Sequence, residues 1–358
     1  FTEPSPVIDL KAEYVGVTSV NLTWAVNSTA SNSYTYRIEV VNGTSVRNLT
    51  SSVTEVEITE LMPGTMYNFT VFAVAADDQT ESEGLSLSLY TQPSPVLDLK
   101  AEYVGVTSVN LTWAVNSTAS DSYTYRIEVV NGTSVRNLTS SVTKVEITEL
   151  MPATMYNFMV FAVAADGQME EGGLSISLYT KPSPILDLKA EYIGVTSVNL
   201  TWVVNSTASD SYMYRIEVVN GTSVRNLTSS VTKVEITELM PGTMYNFTVF
   251  AVAADGQTEG EGLSLPLYTK PSPVLDLKAE YVGVTSVNLT WAVNSTASDS
   301  YTYRIEVVDG TSVRNLTSSV TKVEITELMP GTMYNFTVFA VAADGQTEGE
   351  GLSLPLYT

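Results

Sequence analysis

The asparagines are the residues whose type and spacing most clearly predict chemistry in this sequence. Eighteen of them are followed two positions later by Ser or Thr, and this motif, the sequon, accepts an N-linked glycan on the side-chain amide nitrogen. Only Asn32 and Asn157 lie outside it. The density of sequons predicts N-glycosylation, passage through the secretory pathway and an extracellular or cell-surface location. The eighteen positions are Asn21, Asn27, Asn42, Asn48, Asn68, Asn110, Asn116, Asn131, Asn137, Asn199, Asn205, Asn220, Asn226, Asn246, Asn288, Asn294, Asn315 and Asn335.

A competing explanation is that Asn, Ser and Thr simply populate solvent-facing strand positions. At this Ser and Thr content, chance would place about a quarter of the asparagines in sequons, far fewer than the sequence contains. Asn42 is the exception, because Asn42-Gly43 separates two strand-like segments and a type I′ hairpin turn favours Asn before Gly. The fourth copy of this hairpin has Asp309-Gly310, which keeps the turn and loses the sequon. We therefore expect the turn to explain Asn42.

Catalytic chemistry has few candidates in this chain. It contains no His and no Cys, which excludes Ser–His–Asp and Cys–His triads and the common zinc sites. The glycines form neither a P-loop nor a dinucleotide-binding motif. The sequence therefore predicts no catalytic, metal or cofactor-binding residues, and we expect any catalytic domain or membrane anchor of the full-length protein to lie outside this segment.

The acidic segment 255–261 has three carboxylates close together. Weak calcium binding or a partner contact is one interpretation. A solvated hairpin loop is favoured, because the spacing matches no known calcium-binding loop. The chain also contains no Arg-Gly-Asp motif.

The charge and hydropathy limit the classes of partner. Lys and Arg number 17 against 39 Asp and Glu, for a formal net charge of −22. Such a surface repels phosphate backbones and anionic headgroups, so nucleic acid and membrane-surface partners are disfavoured. The apolar stretches are far shorter than the roughly 20 residues that span a bilayer, so no membrane insertion is expected within this segment. A hydrophobic content of 44% is sufficient for packed cores.

An internal repeat organises the whole chain. The four tryptophans, Trp24, Trp113, Trp202 and Trp291, are spaced 89 residues apart. Copies three and four differ at only five positions, so recurrence within the chain is weak evidence of functional importance. The predicted repeats are 1–91, 92–180, 181–269 and 270–358.

Each repeat has the period-two alternation of short β-strands, which places Leu22 and Trp24 in the core and Asn21 and Thr23 outside. In the first repeat the predicted strands are 7–14, 19–26, 34–41, a strand at Val56 and Ile58, 67–75 and 85–90. Turn signals between them allow seven strands per repeat.

These features resemble the fibronectin type III family. The resemblance depends on Trp24 in the second strand and on the segment 61–67, which is similar to the family's tyrosine corner, in which the Tyr67 hydroxyl bonds to nearby backbone. It implies an all-β fold of four tandem seven-stranded immunoglobulin-like sandwiches in an elongated array. Ala153 departs from the glycine of the other repeats, which matters only if that position needs a positive φ. The segment 67–71 also resembles ectodomains of receptor-type tyrosine phosphatases of the eta and H kind.

The sixth strand of repeat two suggests a contact surface. Its predicted outward residues are Asn157, Met159, Phe161 and Val163, and Met159 replaces the Thr that completes the sequon in the other repeats. We expect an apolar patch of Met159, Phe161 and Val163 without a glycan, the kind of surface that often marks a protein contact. The alternative is that neighbouring strands and the stem of Arg126 cover it.

Two functions remain open. The first is a non-catalytic spacer and protein-interaction array of a cell-surface receptor, with an extracellular protein ligand as partner. The second is a structural glycoprotein whose repeats assemble with neighbouring copies into a matrix or filament. Because a fold does not fix a function, a transmembrane span and cytoplasmic domain downstream would indicate the first, and purified repeats that polymerise end to end would indicate the second.

Overall fold

A computed structural model describes residues 2–27, 33–116, 122–170, 172–205, 212–294 and 298–358. The described residues form β-strands, with one short 3-10 helix at Ser298–Ser300. None of them forms a helix long and apolar enough to cross a membrane. The strands of repeat one are β1 (Val7–Gly16), β2 (Ser19–Val26), β3 (Thr35–Asn42), β4 (Ser45–Ser51), β5 (Glu55–Ile58), β6 (Met66–Val74) and β7 (Leu85–Tyr90).

The remaining strands repeat this order three times. Repeat two contains β8 (Val96–Tyr103), β9 (Val109–Val115), β10 (Thr124–Asn131), β11 (Ser134–Ser140), β12 (Lys144–Ile147), β13 (Met155–Val163) and β14 (Leu174–Tyr179). Repeat three contains β15 (Ile185–Tyr192), β16 (Val198–Val204), β17 (Met213–Asn220), β18 (Ser223–Ser229), β19 (Lys233–Ile236), β20 (Met244–Val252) and β21 (Leu263–Tyr268). Repeat four contains β22 (Val274–Gly283), β23 (Ser286–Val293), β24 (Thr302–Val308), β25 (Val313–Ser318), β26 (Lys322–Ile325), β27 (Met333–Val341) and β28 (Leu352–Tyr357).

Each repeat is a sandwich of a three-stranded and a four-stranded antiparallel sheet. In repeat one the strand orders are β1-β2-β5 and β4-β3-β6-β7, and the other repeats use the same orders. The prediction of seven-stranded all-β sandwiches is therefore confirmed. Because side chains alternate along a strand, each sheet contributes one face to the core and one to solvent.

The core lies between the two sheets and is centred on aromatic residues. Trp24 is buried and its ring centre lies 5.2 Å from that of Tyr36 in an edge-to-face contact. Tyr67 is also buried, and its ring stacks on Phe69. The predicted burial of Trp24 and Tyr67 is confirmed, and their equivalents in the other three repeats are buried as well.

The tyrosine corner predicted for segment 61–67 is present. The Tyr67 hydroxyl accepts a hydrogen bond from the Met62 N–H at 2.9 Å. Nearby, the buried Thr91 hydroxyl donates to the Met62 carbonyl oxygen at 2.6 Å and accepts from the Thr65 N–H at 2.9 Å. These bonds attach the segment that follows β7 to the loop before β6.

The chain divides into two compact units, Phe1–Thr180 and Lys181–Thr358, and each contains two repeats.

Candidate functional site

All eighteen sequon asparagines are at the surface, either exposed or half-buried. In repeat one, Asn21 lies on β2 of the three-stranded sheet, whereas Asn48 and Asn68 lie on β4 and β6 of the four-stranded sheet. Both sheets therefore carry sequon asparagines on their outer faces, as the strand alternation predicts.

The hydrogen bonds of the asparagines on the four-stranded sheet use the amide oxygen. The Asn48 Oδ1 atom accepts from Arg37 Nη1 at 3.1 Å, and Asn68 Oδ1 accepts from the Ser88 hydroxyl at 2.9 Å. A glycan is attached to the other atom, Nδ2. The folded structure can thus hold these amides in place while a glycan extends into solvent.

The hairpin between β3 and β4 differs from the prediction. Asn42 pairs with Ser45 as the last strand residue, which leaves Gly43 and Thr44 as the two-residue loop. Gly43 has a φ of 57° and Thr44 is not among the residues with positive φ, which is the pattern of a type II′ turn. The expectation that a type I′ turn explains Asn42 is therefore wrong, because Asn42 does not occupy a central turn position.

The equivalent hairpin of repeat four is rearranged. The strand β24 ends at Val308, one position short of its counterparts, and Asp309 Oδ1 accepts the Ser312 N–H at 3.0 Å. A carboxylate is a stronger acceptor than an amide, so the Asp side chain competes with the main chain for this donor. The change from Asn to Asp alters the hairpin end as well as removing the sequon.

The outer face of the four-stranded sheet carries an Arg–Phe–Glu cluster in every repeat. In repeat one the Arg37 guanidinium lies 4.0 Å from the ring centre of Phe72. Its Nε and Nη2 atoms donate to the two carboxylate oxygens of Glu81 at 2.7 and 2.8 Å. Stacking and bidentate pairing both require the planar guanidinium. The equivalent residues are Arg126, Phe161 and Glu170 in repeat two, Arg215, Phe250 and Glu259 in repeat three, and Arg304, Phe339 and Glu348 in repeat four.

A glycine covers the edge of the same ring. A Cβ placed on Gly84 would lie 2.5 Å from the Phe72 ring, so the backbone approaches the ring too closely for any side chain at this position.

The hydrogen bonds with Arg126 hold the pKa of the Glu170 carboxyl below its usual value. The pKa of Glu81 is lowered in the same way by Arg37. The cluster therefore ties β3, β6 and the β6–β7 hairpin together on the solvent side of the sheet.

The predicted contact surface of repeat two is only partly assembled. Met159 and Phe161 are half-buried on the outer face of the four-stranded sheet, and Arg126 stacks on Phe161 at 4.0 Å. Val163 is only 5% exposed. It lies at the end of β13 and forms an isolated bridge with Glu170, so the returning chain covers it. The outward placement of Val163 is therefore wrong, and the same applies to Val74 in repeat one.

Met159 changes the local hydrogen bonding. In repeat one the equivalent Thr70 hydroxyl is 2.8 Å from the Ser86 hydroxyl. Met159 lies between Glu128 and Ser175 in the register and cannot form that bond. The Asn157 side chain is retained on this face, where its Oδ1 accepts from the Ser177 hydroxyl at 2.9 Å.

The acidic segment 255–261 uses its first carboxylate to hold a turn. Asp255 Oδ1 accepts from the N–H groups of Gln257 and Thr258, and Oδ2 accepts from the Thr258 hydroxyl at 2.6 Å. Within the described parts of the chain, no group of three or more acidic side chains has an arrangement suited to a metal ion. The turn accounts for Asp255 without a ligand.

The sandwich topology, the tyrosine corner and the buried tryptophan of each repeat define a single class of domain. A family model described as the fibronectin type III domain matches residues 3–87, 92–176, 181–270 and 271–356. The chain therefore belongs to the fibronectin type III family and consists almost entirely of its repeats.

Three relatives of this chain are much longer proteins. The chain is 70% identical over its full length to receptor-type tyrosine-protein phosphatase eta of Gallus gallus and covers 26% of that protein. It is 31% identical over 96% of its length to the Homo sapiens protein of the same name, of which it covers 24%. It is 28% identical over 95% of its length to Homo sapiens receptor-type tyrosine-protein phosphatase H, of which it covers 31%. The chain thus spans 24% to 31% of the length of these three relatives.

Proposed function

We propose that this chain is the N-glycosylated extracellular part of a cell-surface receptor, where it acts as a spacer and protein-interaction array without catalysis of its own. The observation that carries the proposal is the 70% identity, along the whole chain, to a receptor-type tyrosine-protein phosphatase. The domain class supports a non-catalytic role, since the fibronectin type III model matches four repeats that together cover nearly the whole chain. The surface position of all eighteen sequon asparagines supports glycosylation.

Secretion of the chain from mammalian cells tests the glycosylation. Glycans are removed enzymatically from the peptides in H₂¹⁸O. Each formerly glycosylated asparagine then carries an ¹⁸O label that mass spectrometry detects. We expect label at the surface sequons on both sheets, including Asn21, Asn48 and Asn68. Asn157 and Asp309 are internal controls that must stay unlabelled, because neither belongs to a sequon. A secreted chain without labelled asparagines would refute this part of the proposal.

The receptor role is tested on the full-length protein. We expect surface biotinylation of intact cells to label it, and the repeats to be released from the cell surface by mild proteolysis. A protein recovered only inside the cell would contradict an extracellular array. Deleting these four repeats should leave a membrane-bound remainder, which distinguishes a receptor segment from a freely secreted protein.

A structural glycoprotein is the second candidate. It is favoured by the near identity of repeats three and four, which differ at five positions and so present the same surface twice. Sedimentation velocity of the secreted chain over a range of concentrations separates the two. A stable monomer supports the receptor spacer, and end-to-end polymers support assembly into a matrix or filament.

Within the array, we propose that Met159 and Phe161 mark the surface where a protein partner or a neighbouring copy docks. The supporting observation is that Met159 replaces a sequon Thr on a face that also carries the half-buried Phe161. The test variant is Met159→Thr, which restores a sequon at Asn157. The matched control is Thr248→Met, which makes the reverse change in repeat three. Binding to cells and self-association should fall only for Met159→Thr, and unchanged binding by the glycosylated variant would overturn the proposal.

A further inference from the structure

Adjacent repeats within each unit meet through a glycine and a tyrosine. In the first unit a Cβ placed on Gly64 of repeat one would lie 2.3 Å from the ring of Tyr123 in repeat two. In the second unit a Cβ placed on Gly242 of repeat three would lie 2.3 Å from the ring of Tyr301 in repeat four. Real Cβ atoms do not approach other atoms so closely, so only glycine permits this contact.

The linker between the two repeats is held at the same place. The Gly64 N–H donates to the carbonyl oxygen of Gln92 at 2.9 Å, and the Tyr123 hydroxyl accepts the Ser94 N–H at 3.1 Å. The corresponding bonds in the second unit are Gly242 N–H to the Lys270 carbonyl at 3.0 Å and Ser272 N–H to the Tyr301 hydroxyl at 3.3 Å. The glycine and the tyrosine thus both hydrogen-bond to the linker.

Repeat four shows the same surface without a following repeat against it. Gly331 would have nothing within 4 Å of an added Cβ. Met329 is 63% exposed, against 41% for Met62 and 42% for Met240. Tyr281 is 61% exposed, against 39% for Tyr14 and 36% for Tyr192. The following repeat therefore covers a patch formed by a tyrosine of the first strand and by the Met and Gly of the loop before the sixth strand.

The covering side shows the same difference. Tyr123 and Tyr301 are each 2% exposed, whereas Tyr34, their counterpart in repeat one, is half-buried.

Further contacts surround the patch. The Lys270 ammonium lies 5.2 Å from the ring centre of Tyr192, and burial together with the Asp166 carboxylate of repeat two raises the pKa of Tyr14.

We propose that this patch is a socket for the linker and tyrosine of the next repeat, and that glycine at positions 64 and 242 lets each pair of repeats hold one fixed orientation. The partner that fits the socket is a fibronectin type III repeat with a tyrosine at the position of Tyr123. An alanine methyl group at the glycine would displace the ring, separate the two repeats and leave the linker as their main connection.

The fold of a single repeat tolerates alanine at this position. Repeat two carries Ala153 there with a φ of 46°, close to the 61° of Gly64, and its tyrosine corner keeps the 3.0 Å bond from the Met151 N–H to the Tyr156 hydroxyl. Substitution of glycine by alanine therefore tests the contact between repeats rather than the folding of one repeat.

The experiment uses the full chain, which contains no cysteine and so allows specific spin labelling. Cysteines replace the exposed Val231 in repeat three and Val320 in repeat four, and double electron–electron resonance measures the distance distribution between them. The parent should give one narrow distance. Gly242→Ala should give a broad distribution, because the methyl group excludes the Tyr301 ring.

Gly331→Ala is the matched control. It introduces the same strain at a similar φ, 68° against 60°, but has no ring to displace. Its distance distribution should equal that of the parent. A second pair of labels, at Val53 and Val142, tests Gly64→Ala in the first unit. Two results would overturn the proposal. One is that Gly242→Ala and Gly331→Ala give equal distance distributions, and the other is that the parent's distance distribution is already as broad as that of Gly242→Ala.

Discussion

The guanidinium of Arg126 lies 4.0 Å from the ring centre of Phe161 while two of its nitrogens donate to Glu170 at 2.7 and 2.8 Å. One side chain therefore covers an outward-facing aromatic ring and fixes the hairpin that returns over the sheet. Both side chains of the ion pair are mostly shielded from solvent, so the pair is stronger than a fully exposed one.

Arg126→Ala should destabilise repeat two by about 1–2 kcal/mol, because it uncovers Phe161 and leaves Glu170 without its partner. Hydrogen exchange of the peptide that contains Met159 measures the loss of stability locally, because the sequence of this peptide occurs only in repeat two. Arg126→Lys keeps the charge and loses the planar fork, so it should recover only part of the protection. Full protection in Arg126→Ala would show that the cluster contributes nothing.

The stability of repeat two should also depend on pH through Glu170. Its pKa is lowered by the hydrogen bonds with Arg126. The ionised carboxylate thus contributes stability that is fully present above the unfolded-state pKa of about 4.3 and is lost as the pH falls through the lower folded-state pKa. Glu170→Gln should be less stable than the parent at pH 7, and their melting temperatures should converge as the pH falls through the lowered pKa of Glu170. A difference that stayed constant over this range would contradict the assignment.

Trp24 gives a test of the core. Trp24→Ala should cost repeat one about 3–5 kcal/mol, since it removes the edge-to-face contact with Tyr36 and leaves a cavity. Trp24→Phe should cost less, because the indole N–H is buried without a hydrogen-bond partner among the described residues. Differential scanning calorimetry of the full chain measures both substitutions. A destabilised repeat unfolds at a lower temperature or no longer contributes to the unfolding enthalpy. Equal effects of the two substitutions would contradict this account.

Ala153 predicts a stabilising substitution. Its φ of 46° lies in the left-handed region that disfavours a side chain. Ala153→Gly should therefore stabilise repeat two by about 0.5–1 kcal/mol, after allowing for the extra flexibility of glycine in the unfolded chain. Chemical denaturation, monitored by hydrogen exchange of peptides from repeat two, measures the change in the free energy of unfolding. Gly331→Ala should lower the stability of repeat four. If both substitutions changed the stability in the same direction, the prediction would be wrong.

The alternation of apolar and polar residues predicted most of the strands and the buried rings, whereas β4 (Ser45–Ser51) was indicated only by the hairpin signal before it. It predicted Trp24 and Tyr67 correctly because both lie inside regular strands, where side-chain direction follows from period two. It failed at Val74 and Val163, which lie at the last positions of their strands. There the chain returns through an isolated bridge and covers a residue that alternation places outside.

The Arg–Phe–Glu cluster and the Gly–Tyr joint required contacts that are distant in sequence. Arg126 and Glu170 are 44 residues apart, and they meet through the pairing of β10 with β13 and the isolated bridge between Val163 and Glu170. Their recurrence at the same spacing in every repeat was a usable signal, but duplication alone also produces it. The joint could not be predicted from one repeat, because Gly64 and Tyr123 belong to different repeats and no hydropathy pattern relates them.

The register that β17 and β24 share with the sixth strands of their repeats has a consequence for biosynthesis. Over the positions that both strands include, β17 and β24 differ only at Met213 against Thr302, so either can hydrogen-bond to the partners of the other. Released together from denaturant, repeats three and four are expected to exchange strands and aggregate, which is a characteristic failure of adjacent similar domains. On the ribosome, repeat three is complete before β24 has been translated. We therefore expect the order of translation to help keep each strand with its own sandwich.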